Sequence, residues 1–162
     1  MKAQLSIEYY ASLTIFILFI GYIFFQLITT SPHFIRESKT ERLRIESYQI
    51  SELLVNDPGE PINWPTRTVE RFGLSSNLNK TNLLAMDKVS AFQSSCNTNY
   101  ENIRSLMGTE YYFLMNLTDR ESGEKLIECK PPTSINKQIT ASITRIVALD
   151  SGKVAELTIQ MW

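Results

Sequence analysis

The sequence predicts an α+β protein in which a long N-terminal hydrophobic helix leads into a small globular domain. A charge-free apolar run extends from residue 9 to residue 35. The stretch Asn56-Asp-Pro-Gly-Glu-Pro61 then interrupts the helical pattern with two prolines and a glycine. Behind it lie amphipathic helical patterns and four strand-like segments, which predict an antiparallel sheet covered by short helices. A domain of about 100 residues can close one modest core.

The apolar run is long enough to cross a membrane. Residues 9–28 are about twenty in number and, at about 1.5 Å per residue, match the roughly 30 Å hydrocarbon layer. We predict that they form the transmembrane or assembly part of a helix over residues 4–55. A conventional cleaved signal peptide is disfavoured. Such signals begin with a basic region, whereas this chain has one lysine, Lys2, before the run and an acid, Glu8, at its edge.

The residues before the run carry a short polar motif, Gln4-Leu-Ser6-Ile-Glu8. It resembles the class III signal peptide of archaeal type IV pilin-like proteins, written Q-x-S-x-E. The resemblance implies that a prepilin-type leader peptidase cuts between Ala3 and Gln4, removes the leader 1–3 and leaves the apolar helix on the mature protein. The family pattern has a Leu four residues after the Glu, where this chain has Ser12.

The same resemblance implies a way of assembling. The helix would lie in membrane lipid first and later pack against other pilin-like subunits in a surface filament or pilin-like complex. A carboxylate among lipid tails needs a partner, so Glu8 would set the register by meeting a neighbouring subunit's freed amino group. The alternative is that Glu8 only marks the membrane interface near a helix N-terminus, where the helix dipole favours an anion.

Membrane topology has two interpretations. Basic side chains follow the run at Arg36, Lys39, Arg42 and Arg44, whereas Lys2 alone precedes it. Taken literally, the positive-inside rule places the C-terminal domain in the cytoplasm. Because acidic residues alternate with these cations, as on a solvated helix face, we favour a single-pass protein with an extracellular head over residues 56–162.

Apolar spacing predicts the elements of the second half. Leu43, Ser47, Ile50 and Leu54 give the helix one apolar side as it continues to residue 55. Further helices are predicted at 69–72, 83–92 and 100–107, and strands at 111–117, 125–130, 139–149 and 154–162. We expect Trp64 to be a core or loop-anchoring aromatic.

The two cysteines, Cys96 and Cys129, are an even number in a chain predicted to be exported, which favours one disulfide. It would close a loop of about 34 residues and contribute about 3 kcal/mol on the chain-entropy model. The alternative, favoured by a cytoplasmic location, is a pair of small buried hydrophobic residues.

Two Asn-x-Thr sequences are glycosylation candidates, at Asn79 and Asn116. Asn79 lies in a polar loop and is the better acceptor. Asn116 lies near a predicted strand end, where a glycan would need outward geometry.

Catalytic and cofactor chemistry is not predicted. The one histidine, His33, lies at the predicted membrane exit without a catalytic partner. Nucleotide-binding and zinc-protease motifs are absent from the sequence, the acidic turn at 119–128 does not match a calcium loop, and a net charge of −1 disfavours nucleic acid. We therefore predict no enzyme activity, metal or cofactor. The rival function is a monomeric membrane-tethered extracellular binding domain.

Overall fold

The computed structural model describes the backbone of residues 2–76, 80–132 and 141–162, and the side chains of all of these except 2–6 and 31–36. The chain divides into two compact units, Met1–Lys39 and Thr40–Trp162. From here on, the head means this second unit, which includes residues 40–55 of the long helix as well as the predicted head domain 56–162. The fold is α+β, with a long N-terminal apolar helix followed by a mixed sheet and shorter helices.

Helix α1 is Lys2–Asn56, 55 residues, and it belongs partly to each unit. It ends where the sequence changes to Asp57-Pro-Gly, and the Asp57 N–H donates to Leu53 O at 3.0 Å. A proline cannot donate a backbone hydrogen bond and a glycine is a poor helix former, so the stop lies where the sequence predicts it.

Within the head, the last part of α1 buries one side. Leu43, Ser47, Ile50 and Leu54 are all at most 6% exposed. Ser47 tolerates burial because its hydroxyl donates to Leu43 O at 2.6 Å. The predicted apolar side of this helix is therefore the side that packs in the head.

The loop after α1 differs from the prediction. The expected helical turn at 69–72 is wrong: the short helix is a 3-10 turn at Trp64–Thr66, and Arg71 forms an antiparallel bridge with Glu60. Gly73 lies so close to the preceding loop that an added Cβ would stand 2.2 Å from Asp57 O. The spacing of Val69 and Phe72 reflects packing of an extended segment, not a helix.

Two short helices follow. Helix α2 is Met86–Thr98 and helix α3 is Tyr100–Leu106. Leu83–Leu84, predicted as the start of α2, instead forms strand β1. A two-residue strand has no alternation to distinguish it from the edge of an amphipathic helix.

The remaining strands lie close to their predicted positions: β2 Phe113–Asp119, β3 Lys125–Cys129, β4 Ala141–Leu149 and β5 Val154–Met161. The sheet order is β1-β4-β5-β2-β3. The four longer strands pair antiparallel, but β1 pairs parallel with β4. The predicted purely antiparallel sheet is thus a mixed one.

The hydrophobic core lies on one face of this sheet. In β5, alternate residues such as Leu157 and Ile159 are 1% exposed, whereas Thr158 between them is half-buried on the other face. Phe92 of α2, Ile103 of α3 and Leu54 of α1 belong to the same buried cluster. The head therefore has its own core, to which α1 contributes only its last part.

Candidate functional site

The segment Ile7–Thr30 of α1 is long and apolar enough to span a membrane. Its 24 residues have a mean hydropathy of 2.2, and none of the window is buried. Large apolar side chains stand open, among them Phe16 at 59% and Ile28 at 70% exposed. Soluble proteins rarely expose a continuous apolar surface of this size, so the segment needs lipid or protein around it. We call it the anchor segment.

Hydroxyl groups in the anchor segment bond to the helix itself. Thr14 Oγ1 donates to Tyr10 O at 2.8 Å, and Thr29 Oγ1 donates to Phe25 O at 3.0 Å. These bonds satisfy donors that would otherwise need water. The two threonines are therefore compatible with an apolar environment.

Glu8 is the acidic residue of the anchor segment. It is exposed, and no hydrogen bond or ion pair joins its carboxylate to another described side chain. It lies one residue from the start of the apolar window at Ile7. A charged carboxylate at the edge of such a surface needs water, a lipid headgroup or a cation from another molecule.

The predicted processing residues fall outside the described side chains. Ala3, Gln4 and Ser6 belong to the first turns of α1, where the backbone is helical and the side chains are not described. Cleavage before Gln4 remains a prediction. The side chain of His33 is also outside the described residues.

The structure places Cys96 of α2 and Cys129 of β3 at disulfide distance, with their Cα atoms 5.6 Å apart. Both side chains are buried. A second link runs alongside, since Glu128 N of β3 donates to Gln93 Oε1 of α2 at 2.7 Å. The pair thus fastens α2 to the β3 edge of the sheet.

Of the two glycosylation candidates, Asn116 lies within the described residues. Asn116 lies in the middle of β2, opposite Glu128 of β3 and Thr158 of β5. It is half-buried, and among the described residues its Oδ1 has no hydrogen-bond partner. Asn79 lies outside the described residues.

An open cleft in the head went unpredicted. It measures about 590 Å³ and is lined by Arg42, Glu46, Gln49, Ile50, Leu53, Met107, Gly108, Glu110 and Tyr111. Charged groups stand at Arg42, Glu46 and Glu110, and apolar groups at Ile50 and Leu53. The lining thus combines charged and apolar side chains, and it could not be foreseen because it joins two distant stretches of sequence.

Two polar interactions in the head were also not predicted from the sequence. Arg145 of β4 pairs with Glu52 of α1 and lies over the Tyr48 ring, 4.9 Å from its centroid. Buried Lys88 donates from Nζ to Pro58 O at 2.7 Å and to Ser75 O at 2.9 Å. Loss of hydration on burial lowers the pKa of Lys88, although nearby Asp87 partly opposes this.

Metal chemistry gains no support from the described residues. They include no group of three or more His, Cys, Asp or Glu side chains that could hold a metal ion.

No family model, curated protein or solved structure matches this chain.

Proposed function

We propose that this chain is a pilin-like subunit, held in the membrane by the anchor segment before assembly and packed through it into a surface filament or pilin-like complex. A leader peptidase removes residues 1–3, so that the mature chain begins at Gln4. Its partners are other pilin-like subunits, and its head contributes no catalysis.

One observation carries the proposal: an apolar helical segment with every residue exposed begins at a carboxylate that has no partner among the described residues. A simple tether needs the apolar surface but has no use for the acid, which makes insertion harder. In an assembly of identical subunits, the carboxylate can meet a neighbour's new amino group, and neighbouring helices replace the lipid.

An extracellular head is supported by the cysteine pair. Disulfides persist in oxidising compartments and are rare in the cytoplasm. A buried pair at disulfide distance in the head therefore favours export over the cytoplasmic orientation that the basic residues after the anchor segment indicate. Protease treatment of intact cells tests this, because an exported head is digested and a cytoplasmic head is protected.

The first experiment replaces Glu8→Gln in the full chain and measures incorporation into filaments or membrane complexes. We expect incorporation to fall sharply, because the neutral amide cannot form an ion pair with an ammonium group and the hydrogen bond that it can accept is weaker. The matched control is Glu41→Gln, an exposed acid on the same helix outside the anchor segment. Equal incorporation of both variants would contradict the assembly role of Glu8.

The second experiment measures the mass of the mature N-terminal peptide from native membranes. We expect the chain to begin at Gln4. An intact Met1, or a terminus beyond the anchor segment, would contradict the class III leader.

The second candidate function is a monomeric membrane-tethered binding domain, in which the cleft in the head would be the binding surface. Under this alternative, Glu8→Gln changes nothing and the intact protein runs as a single copy in mild detergent. Larger species containing several copies would favour the subunit function instead.

A further inference from the structure

The two outer strands of the sheet are protected to different extents. On one side, α2 lies along β3, held by the cysteine pair and by the bond from Glu128 N to Gln93 Oε1. On the other side, the short strand β1 pairs with Ala148 and Leu149, at the end of β4. In the part of the chain that the structure describes, no strand pairs on that side with the earlier residues of β4. We call residues 142–146 of β4 the free edge.

The backbone of the free edge presents hydrogen-bonding groups in a fixed alternation. Ala148 N donates to Asn82 O, away from β5. Successive residues of a strand direct their backbone groups to opposite sides, and the register between β4 and β5 is unbroken from 141 to 148. Every second residue before Ala148 therefore directs its N–H and C=O away from β5. These residues are Ser142, Thr144 and Ile146, and no described group bonds to their N–H groups.

The cover that β1 provides ends at Asn82, the residue before this strand. Asn82 has a φ of 58°, in the left-handed region, which is incompatible with an extended strand. The described residues before Leu83 consequently do not run beside residues 142–146. The backbone groups of the free edge are left to solvent or to another molecule.

The free edge lacks the features that prevent edge strands from pairing. Such strands are commonly protected by lysine, proline or a bulge, and residues 142–146 contain none of these. The one charged residue, Arg145, pairs with Glu52 and lies over the Tyr48 ring. Ile146 is 59% exposed, and β-branched residues of this kind favour strand pairing.

We propose that the free edge binds an extended segment of a partner polypeptide, which adds a strand to the sheet beside β4. An extended polypeptide presents N–H and C=O groups to one side at every second residue, which matches the alternation of Ser142, Thr144 and Ile146. Five residues of strand span about 17 Å, so a short segment is sufficient. The added strand would continue along β4 from the point where β1 ends.

The charges beside the free edge favour a neutral or basic segment. Arg145 already pairs with Glu52. Glu156 of β5, opposite Ile146 on the same face, has no ion-pair partner among the described residues. A lysine of the added strand next to Ile146 can extend toward this carboxylate, whereas an acidic residue there would be repelled.

Hydrogen exchange of the full chain in detergent, followed by NMR, tests the free edge. Without a partner, we expect the amides of Ser142, Thr144 and Ile146 to exchange roughly ten times faster than that of Arg145, which faces β5. Saturation with a short synthetic peptide in which valine alternates with lysine should slow the three amides by about fivefold. Slow exchange before the peptide is added, or unchanged exchange afterwards, would overturn the proposal.

A proline variant tests whether backbone pairing holds the peptide. Thr144→Pro removes an N–H that points away from β5 and places the proline ring where the added strand would lie. We expect the peptide to lose its effect on Ser142 and Ile146, while the unfolding temperature of the head changes little. The matched variant Thr144→Val keeps the N–H and should respond as the wild-type protein does. The same response in both variants would contradict an added strand.

A modified peptide gives the same comparison with the wild-type protein, independently of how Thr144→Pro folds. Two adjacent prolines at the centre of the peptide prevent strand pairing, whichever side faces β4. We expect this peptide to leave the exchange of Ser142, Thr144 and Ile146 unchanged. An effect as large as that of the unmodified peptide would show that backbone pairing is not responsible.

The charge preference and the identity of the occupant have their own outcomes. A peptide with glutamate in place of lysine should bind several times more weakly, and Glu156→Gln should remove this preference. If Glu156→Gln leaves the preference unchanged, the assignment of a basic segment is wrong. If the three amides become protected when the concentration of the chain alone is raised, and larger species form, a second copy occupies the edge and the partner polypeptide is excluded. None of these results depends on Glu8, so the subunit function is tested separately.

Discussion

The two parts of α1 have the same secondary structure and opposite surroundings. In the anchor segment every residue is exposed, whereas in Thr40–Asn56 the side chains at 43, 47, 50 and 54 are buried in the head. The first part is apolar on nearly all sides, and the second has apolar residues at helical spacing. The difference teaches that the head supplies the environment of one part, while the other part must find its environment in lipid or another molecule.

The sharpest test of this contrast compares two leucines on α1. Leu54→Ala removes a side chain that is 0% exposed, and we expect the free energy of unfolding of the head to fall by about 3–5 kcal/mol. Leu18→Ala removes one that is 68% exposed and should leave the head unchanged. Urea titration of the full chain in detergent, followed by tryptophan fluorescence, measures both. A comparable loss for Leu18→Ala would show that the anchor segment supports the head.

A second test removes the link between α2 and β3. Replacing Cys96→Ser and Cys129→Ser together should lower the free energy of unfolding by about 3 kcal/mol, because the unfolded chain regains the freedom of the closed loop. Thermal unfolding of the wild-type protein with and without reductant provides the control. If native, unreduced protein reacts with a maleimide at both cysteines, the disulfide is absent.

A third test concerns Tyr100, whose hydroxyl donates to Phe113 O and accepts from Phe113 N, both at 2.8 Å. Tyr100→Phe should destabilise the head at pH 7 by about 1–3 kcal/mol, because two buried backbone groups of Phe113 lose their partner. Tyr22→Phe, in the anchor segment, is the matched control and should leave head unfolding unchanged.

The same tyrosine predicts a pH dependence. Burial raises the pKa of Tyr100 to about 12, from an ordinary value of 10.0. Between these pH values the unfolded chain has released the proton and the folded chain retains it, so stability falls as pH rises through this range. Tyr100→Phe should show a smaller fall. An equal fall in both proteins would mean that other groups govern the alkaline response.

The smallest expected effect concerns the ion pair between Arg145 and Glu52, which ties β4 to the last part of α1. Arg145→Met retains most of the side-chain volume and should lower the free energy of unfolding by about 1 kcal/mol, an effect that weakens with salt. Lys125→Met breaks an exposed pair with Glu128 and should change it less. A larger effect at Lys125 would argue against a specific role for the Arg145 link.

Local periodicity predicted most of the fold. Alternation in β5 and the apolar side of α1 correctly identified buried positions, because each side chain's direction follows from the repeat of its own element. Leu83–Leu84 was misassigned, because its pairing with β4 depends on residues more than sixty positions away. The turn expected at 69–72 was wrong for a related reason, since contacts with Glu60 and Gly59 hold that segment extended.

The candidate functional features also separate into those that local sequence predicts and those that depend on distant contacts. The anchor segment depends on composition alone, so its length and exposure agree with the sequence prediction. The cleft and the Arg145–Glu52 ion pair each join stretches that are far apart in the chain, and no pattern within a single stretch predicts them. The assembly role of Glu8 depends on a second molecule and stays a prediction.

Lys88 has a consequence for chemical labelling. Its ammonium group is buried and donates to the backbone carbonyls of Pro58 and Ser75, which lie in two different loop segments. An amine-directed reagent can reach it only when those two loop segments separate, whereas the exposed lysines react without such an opening. The rate of acylation of Lys88 would therefore measure how often the structure opens locally where the chain leaves α1.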